Sequence, residues 1–201
     1  MTNEEQSLRL VMRPVVLYLV MLVITGIVCV VGLAWMYVPV WRMEQGVKSY
    51  SGEGIATVSS RHVMRPGYRV DFESFNLSEP YEAAYMLEGL PRMDAGARAG
   101  LYFSEISDRV YGIRGGTLAM RVVVGETIVM EADAPIDDWN FSDQIGISVT
   151  YFNFETQKRS SFDLKQLPEA GTPELRIHYT PPDGVDSGLR GHVRLQVGGY
   201  E

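Results

Sequence analysis

"TLAMRVVVGETIVMEAD", residues 117–133, places two apolar-rich runs on either side of Gly125-Glu126. Two such runs separated by a two-residue step containing glycine predict a β-hairpin. Glycine in the first loop position tolerates the positive φ that a type II′ turn requires there.

Reading outward, a hydrophobic period of two recurs on both sides. "YEAAYMLEGL" puts Tyr81, Ala83, Tyr85 and Leu87 on one face. "ISVTYFNFE" puts Ile147, Val149 and Tyr151 on one face, with Phe152 and Phe154 on the other. "ELRIHYT" alternates Leu175, Ile177 and Tyr179 with Arg176, His178 and Thr180. "HVRLQV" alternates Val193, Leu195 and Val197 with His192, Arg194 and Gln196. These are strands with one buried face. Further strands are expected at "GIATVSS", "YRVDFES", "RAGLYFSE" and "SFDLKQL", and "TPPDGVDSG" (Thr180–Gly188) is a longer turn-rich connection. About ten short strands with frequent Gly and Pro turns predict an all-β domain, an antiparallel β-sandwich of Ig-like or jelly-roll-like form. A closed barrel is the alternative, because strand patterning alone does not decide closure.

The 201-residue chain is 46% hydrophobic and 21% charged, which excludes wholesale disorder. Beyond Ser49 it holds 14 basic and 22 acidic residues, a net charge of −8. Such a domain has no electrostatic basis for non-specific nucleic-acid binding. Its single cysteine, Cys29, lies near the start. The region beyond it therefore has no disulfide, no thiolate metal site and no thiol nucleophile.

The common catalytic motifs are absent: no H-E-x-x-H, no G-x-S-x-G and no P-loop. Gly184–Gly188 reads G-V-D-S-G, with Ser187 one place too late for a nucleophile elbow. No catalytic residue and no cofactor is assigned. His62, His178 and His192 are read as surface residues rather than a converging metal set.

Three weaker candidates remain. Glu131, Asp133, Asp137, Asp138 and Asp143 form an acidic run with the oxygen ligands calcium favours. The run lacks EF-hand order, since Asp143 stands where glycine is needed, and a solvated acidic loop is the plainer reading. Trp139 suits either a stacking platform or a core position. Arg176, His178, Arg190, His192 and Arg194 would form one basic face if the last two strands paired. That face would suit an acidic partner or anionic lipid; interleaving with nearby acids is the plainer reading. Asn76 and Asn140 each begin an N-x-S sequon, a pattern that chance explains.

At the other end of the chain, "VVLYLVMLVITGIVCVVGLAWMYVPVW" (Val15–Trp41) carries no charge. About 20 apolar residues span a bilayer core. Trp35, Tyr37 and Trp41 gather at one end, where amphipathic rings favour the headgroup layer. A cleaved export signal has a shorter apolar core and small residues before the cut, and Ala34-Trp35-Met36-Tyr37 lacks them. A lipid-attachment signal would need a small residue before Cys29, where Val28 stands. Thr25, Cys29 and Gly32 share one helix face, a weak hint of helix self-association.

The division expected is a tail (1–14), a transmembrane helix (15–41), a polar juxtamembrane linker (42–54) and a sandwich (55–201). A short leading tail before a large domain suits a signal-anchor with the bulk outside the cytoplasm, although flanking basic residues tie. The function expected is a single-pass, non-enzymatic binding or assembly module, with the lipid bilayer and a membrane or envelope protein as partners. The alternatives are a tethered carbohydrate-active enzyme of the envelope and an accessory subunit of a larger membrane complex.

Overall fold

The computed structural model describes residues 3–93, 95–103, 115–135, 140–143, 150–153, 161–164, 167–168, 171–185 and 188–199. One helix, α1 (Asn3–Ser49), precedes eleven strands: β1 (Ile55–His62), β2 (Arg65–Asn76), β3 (Tyr81–Met86), β4 (Gly96–Phe103), β5 (Thr117–Val124), β6 (Thr127–Pro135), β7 (Asn140–Asp143), β8 (Thr150–Asn153), β9 (Ser161–Asp163), β10 (Pro173–Thr180) and β11 (Arg190–Gly198).

They form two antiparallel sheets. The larger runs β1-β2-β11-β4-β8-β7, with β9 pairing the start of β4 while β8 pairs its end. The smaller runs β3-β10-β5-β6. Two separate sheets facing one core make a sandwich, as the strand pattern predicted.

The alternation explains which side chains meet. Leu175, Ile177 and Tyr179 of β10 are buried from one sheet, and Val193, Leu195 and Val197 of β11 from the other. Aromatic rings bridge the layers. Phe72 stacks on Tyr85 with centroids 4.5 Å apart, and Phe75 stacks on Tyr81 at 4.0 Å. Such pairs add about 0.5–1.5 kcal/mol each beyond their burial. The buried Tyr179 hydroxyl donates to the Leu77 carbonyl at 2.7 Å, so a polar group carried into the core is paired.

Local phase shifts have visible causes. In β2, Tyr68, Val70 and Phe72 point inward, and then so do Phe75 and, just past the strand, Leu77. The register against β11 slips between His192, opposite Ser74, and Arg194, opposite Asp71. A bulge there re-phases the strand so that both apolar sets reach the core. The β5–β6 hairpin closes as expected: Val124 pairs Thr127, and Gly125 has φ 61°. Glu126 has no positive φ, which makes the turn type II′ rather than I′.

Two expectations are corrected. First, β10 and β11 do not pair; they lie in different sheets. Each has one apolar face, and both faces fill the same core from opposite sides. The connection between them is long enough to cross the sandwich. Second, the segment after Trp41 is no extended linker. It is helical as far as Ser49. Val40 and Met43 are only 8% and 2% exposed and belong to the same buried cluster as the sandwich core, with Val47 packed against it. Spacings of three and four residues put these three on one helix face.

Candidate functional site

The join between α1 and the sandwich is the most constructed feature outside the core. From Val15 onward α1 is long and apolar enough to cross a membrane, with an 18-residue window of mean hydropathy 2.9, none of it buried. Trp35 is 83% exposed and Trp41 59%. At Val40 the surroundings change from open to packed.

Several contacts fix this join. Gly46 lies so close to Pro91 that a Cβ on it would sit 2.8 Å from the proline ring. Pro91 is itself held, because the buried Tyr68 hydroxyl donates to its carbonyl at 2.8 Å. Burial raises the Tyr68 phenol pKa far beyond its ordinary value, so this donor keeps its proton. Past the helix end, Ser51 and Gly52 donate backbone N–H groups to the Glu88 carbonyl at 3.2 and 2.9 Å. Glu53 N–H donates to the Met86 carbonyl at 2.8 Å. The Glu53 carboxylate accepts in return from the Met86 N–H at 2.7 Å. A Cβ on Gly52 would lie 2.5 Å from the Met86 carbonyl oxygen, so this position has room only for glycine. Tyr50 donates to the Glu53 carbonyl at 2.6 Å. Its pKa is pushed up to about 12, by burial first and the Glu53 charge second. Residues 50–53 are thereby stitched to the end of β3.

Beside the join is a cleft of about 780 Å³. Helix residues Val38, Pro39, Arg42 and Met43 form one wall. The β1–β2 turn, with Val63, Met64 and Arg65, forms the second. Arg92 and Met93 belong to the third. The turn reaches along α1 toward its apolar part: Arg61 pairs with Glu44 at 2.6 Å, and Met64 and Arg65 lie further on, against the Val38–Met43 wall. Met64 at the tip is 75% exposed. Its N–H donates to His62 Nδ1 at 3.3 Å, which gives that histidine a role within the turn. Arg92 donates one N–H to the Pro168 carbonyl at 2.9 Å.

The predicted basic face is divided between the two sheets. Arg176 pairs with Glu174 at 2.7 Å and His178 with Glu82 at 2.6 Å, both on the smaller sheet. They border a shallow groove with Ala84, Ala119, Arg121 and Asp133. On the larger sheet Arg190 donates to the Ser74 carbonyl at 2.7 Å. Arg194 binds the Asp71 carboxylate and lies 4.2 Å over the Tyr102 ring. His192 and Arg69 approach Asp71 at 3.4 and 3.3 Å. Burial alone would raise the Asp71 pKa. Hydrogen bonds from His192 and Arg194, with the charges of Arg194 and Arg69, outweigh burial and hold it below the usual carboxylate range.

Of the acidic candidates, Glu131 is paired with Arg121 at 2.7 Å, and Asp133 is exposed on the neighbouring part of β6. Asp137, Asp138 and Trp139 lie outside the described residues, as does the Asp143 side chain. Among the described residues no group of three or more His, Cys, Asp or Glu is placed to hold a metal. The sequence reading did not find the Arg42–Arg65–Arg92 cleft, whose members are far apart in the chain. Its one local signal was the apolar pair Val63-Met64 at a hairpin tip, where polar residues are usual. No family model matches this chain, and no curated protein matches it in sequence.

Proposed function

We propose that this protein is a single-pass membrane protein that presents its β-sandwich as a non-catalytic binding or assembly module on the outer side of the cell membrane. One observation carries the reading: an apolar, bilayer-length helix whose own last turns enter the sandwich core. A cut within the last turns of the helix, beyond Val40, would strip that residue from the core, so retention of the helix and integrity of the fold are linked. A flexible tether lets a domain wander, whereas a packed join holds one face toward the bilayer. That suits a module engaging partners in or near the membrane. The described core residues pack into one apolar cluster, which supports binding through surfaces.

Chemical crosslinking in intact cells, with identification of the captured proteins, tests the assembly role. Membrane or envelope proteins are expected. Alkaline extraction and protease accessibility test the topology. The full-length chain should stay in the membrane pellet, with the sandwich cleaved only from outside. A full-length chain released by alkali, or a sandwich protected in sealed cells, would contradict this reading.

A further inference from the structure

The geometry points to the cleft between α1, the β1–β2 turn and the Arg92–Met93 segment as a binding site for the headgroup of an anionic phospholipid. This inference rests on the anchored reading above.

Depth is the first argument. At 1.5 Å per residue, Val15 to Trp35 covers about 30 Å, the thickness of a bilayer hydrocarbon core. The exposed Trp35 then marks the boundary. Val38 lies about 4.5 Å beyond it and Arg42 about 10 Å beyond, which is the headgroup layer. The cleft opens at the level where phosphates sit. Met64 projects from the turn toward the same layer.

Chemistry is the second. Arg42, Arg65 and Arg92 line the cleft, and no acid is among its described lining residues. The domain beyond Ser49 is acidic overall, so three arginines gathered on one cleft stand out against its charge. Guanidinium groups match phosphate geometry and bind it through paired N–H donors. Arg92 uses one of its five N–H donors on Pro168. The exposed Arg42 side chain makes no ion pair or hydrogen bond with the described residues. The rest of the lining, including Val38, Pro39, Met43 and Met93, is apolar and suits the glycerol and first acyl carbons. Methionine side chains adapt to such mobile surfaces. The bilayer beside α1 supplies the occupant directly, so capture is a sideways step within the membrane.

The test uses the full-length chain in vesicles of phosphatidylcholine and phosphatidylglycerol at four to one. Flotation first reads anchoring; gentle detergent release and native mass spectrometry then read which lipid stays bound. Wild type is expected to float and to retain phosphatidylglycerol and phosphatidylcholine at about five to four, a roughly fivefold rise over the bulk ratio of one to four, matching the ~1 kcal/mol that one basic group near the surface contributes. Arg42→Gln with Arg92→Gln should return the retained lipid to the bulk ratio, while Arg121→Gln on the distant sheet should not. Arg42→Gln alone touches no structural partner; it should lower the enrichment and keeps the test valid if the double variant unfolds. Excess inorganic phosphate should leave the enrichment unchanged. A chain that floats yet retains lipids in the bulk ratio overturns the site alone. So does enrichment that survives the double variant or is abolished by inorganic phosphate. A chain that stays in the aqueous fractions overturns the anchor and the site together.

Discussion

The two parts of α1 are one continuous helix in two different environments. From Val15 to Pro39 each side chain is exposed, and the sequence is apolar on every face. From Val40 to Val47 one stripe, Val40 and Met43 with Val47 packed beside them, enters the sandwich core, while Trp41 stays exposed off it. A membrane recognises a run of apolar residues irrespective of face, whereas a protein core recognises their period. The same backbone meets both demands, and the change of surroundings falls beside Pro39 and Trp41.

Substitutions separate the two parts. Val23→Arg with Val30→Arg has the largest expected effect. Each arginine near the centre of a span costs about 2.5–3.5 kcal/mol of insertion. The double variant should leave the membrane pellet, while the sandwich unfolds at an unchanged denaturant midpoint. Met43→Ala should do the reverse. Emptying a buried methionine site costs about 2–5 kcal/mol, seen as a lower midpoint for full-length protein in detergent, with membrane retention intact. If Met43→Ala left the midpoint unchanged, the second part of α1 would be no part of the core.

Gly52→Ala sharpens the comparison past the helix end. Its methyl group would press on the Met86 carbonyl, and overpacking against backbone costs about 1–3 kcal/mol. Asp71→Asn, on β2 opposite Ile55, should cost about 1 kcal/mol by weakening the acceptor of a mostly buried arginine. Its pH dependence follows from the lowered Asp71 pKa. A carboxylate with a depressed folded pKa contributes fully above its unfolded value of about 3.9 and loses that contribution as pH falls through the folded value. The stability gap between wild type and Asp71→Asn should thus shrink as pH falls below about 4. A gap that widened below about pH 4 would contradict the assignment.

The strands were legible because alternation is local. Leu175, Ile177 and Tyr179 announce a buried face without reference to anything else in the chain. Which sheet a strand joins is not local. β10 and β11 carry the same alternation, and the turn-rich residues between them fit a hairpin return as well as a crossing. The single basic face failed at that step: its members are divided between the two sheets, where Arg176, His178 and Arg194 meet the acids Glu174, Glu82 and Asp71, and Arg190 bonds to Ser74. The helix extension was half legible. Val40, Met43 and Val47 show helical spacing, but Arg42, Glu44, Gln45 and Gly46 among them read as a polar connection. The arginine cleft was not legible, since only the folded chain brings positions 42, 65 and 92 to one cleft.

The most direct measurement is amide hydrogen exchange of the full-length protein reconstituted in bilayers, read across residues 15–53. Slow exchange should run without interruption from the apolar part through Ser49 and on to Gly52 and Glu53, whose N–H groups are bonded to the 86–88 backbone. Exchange at the rate of an unstructured peptide over 42–53, between two protected regions, would contradict the packed join and restore a flexible tether.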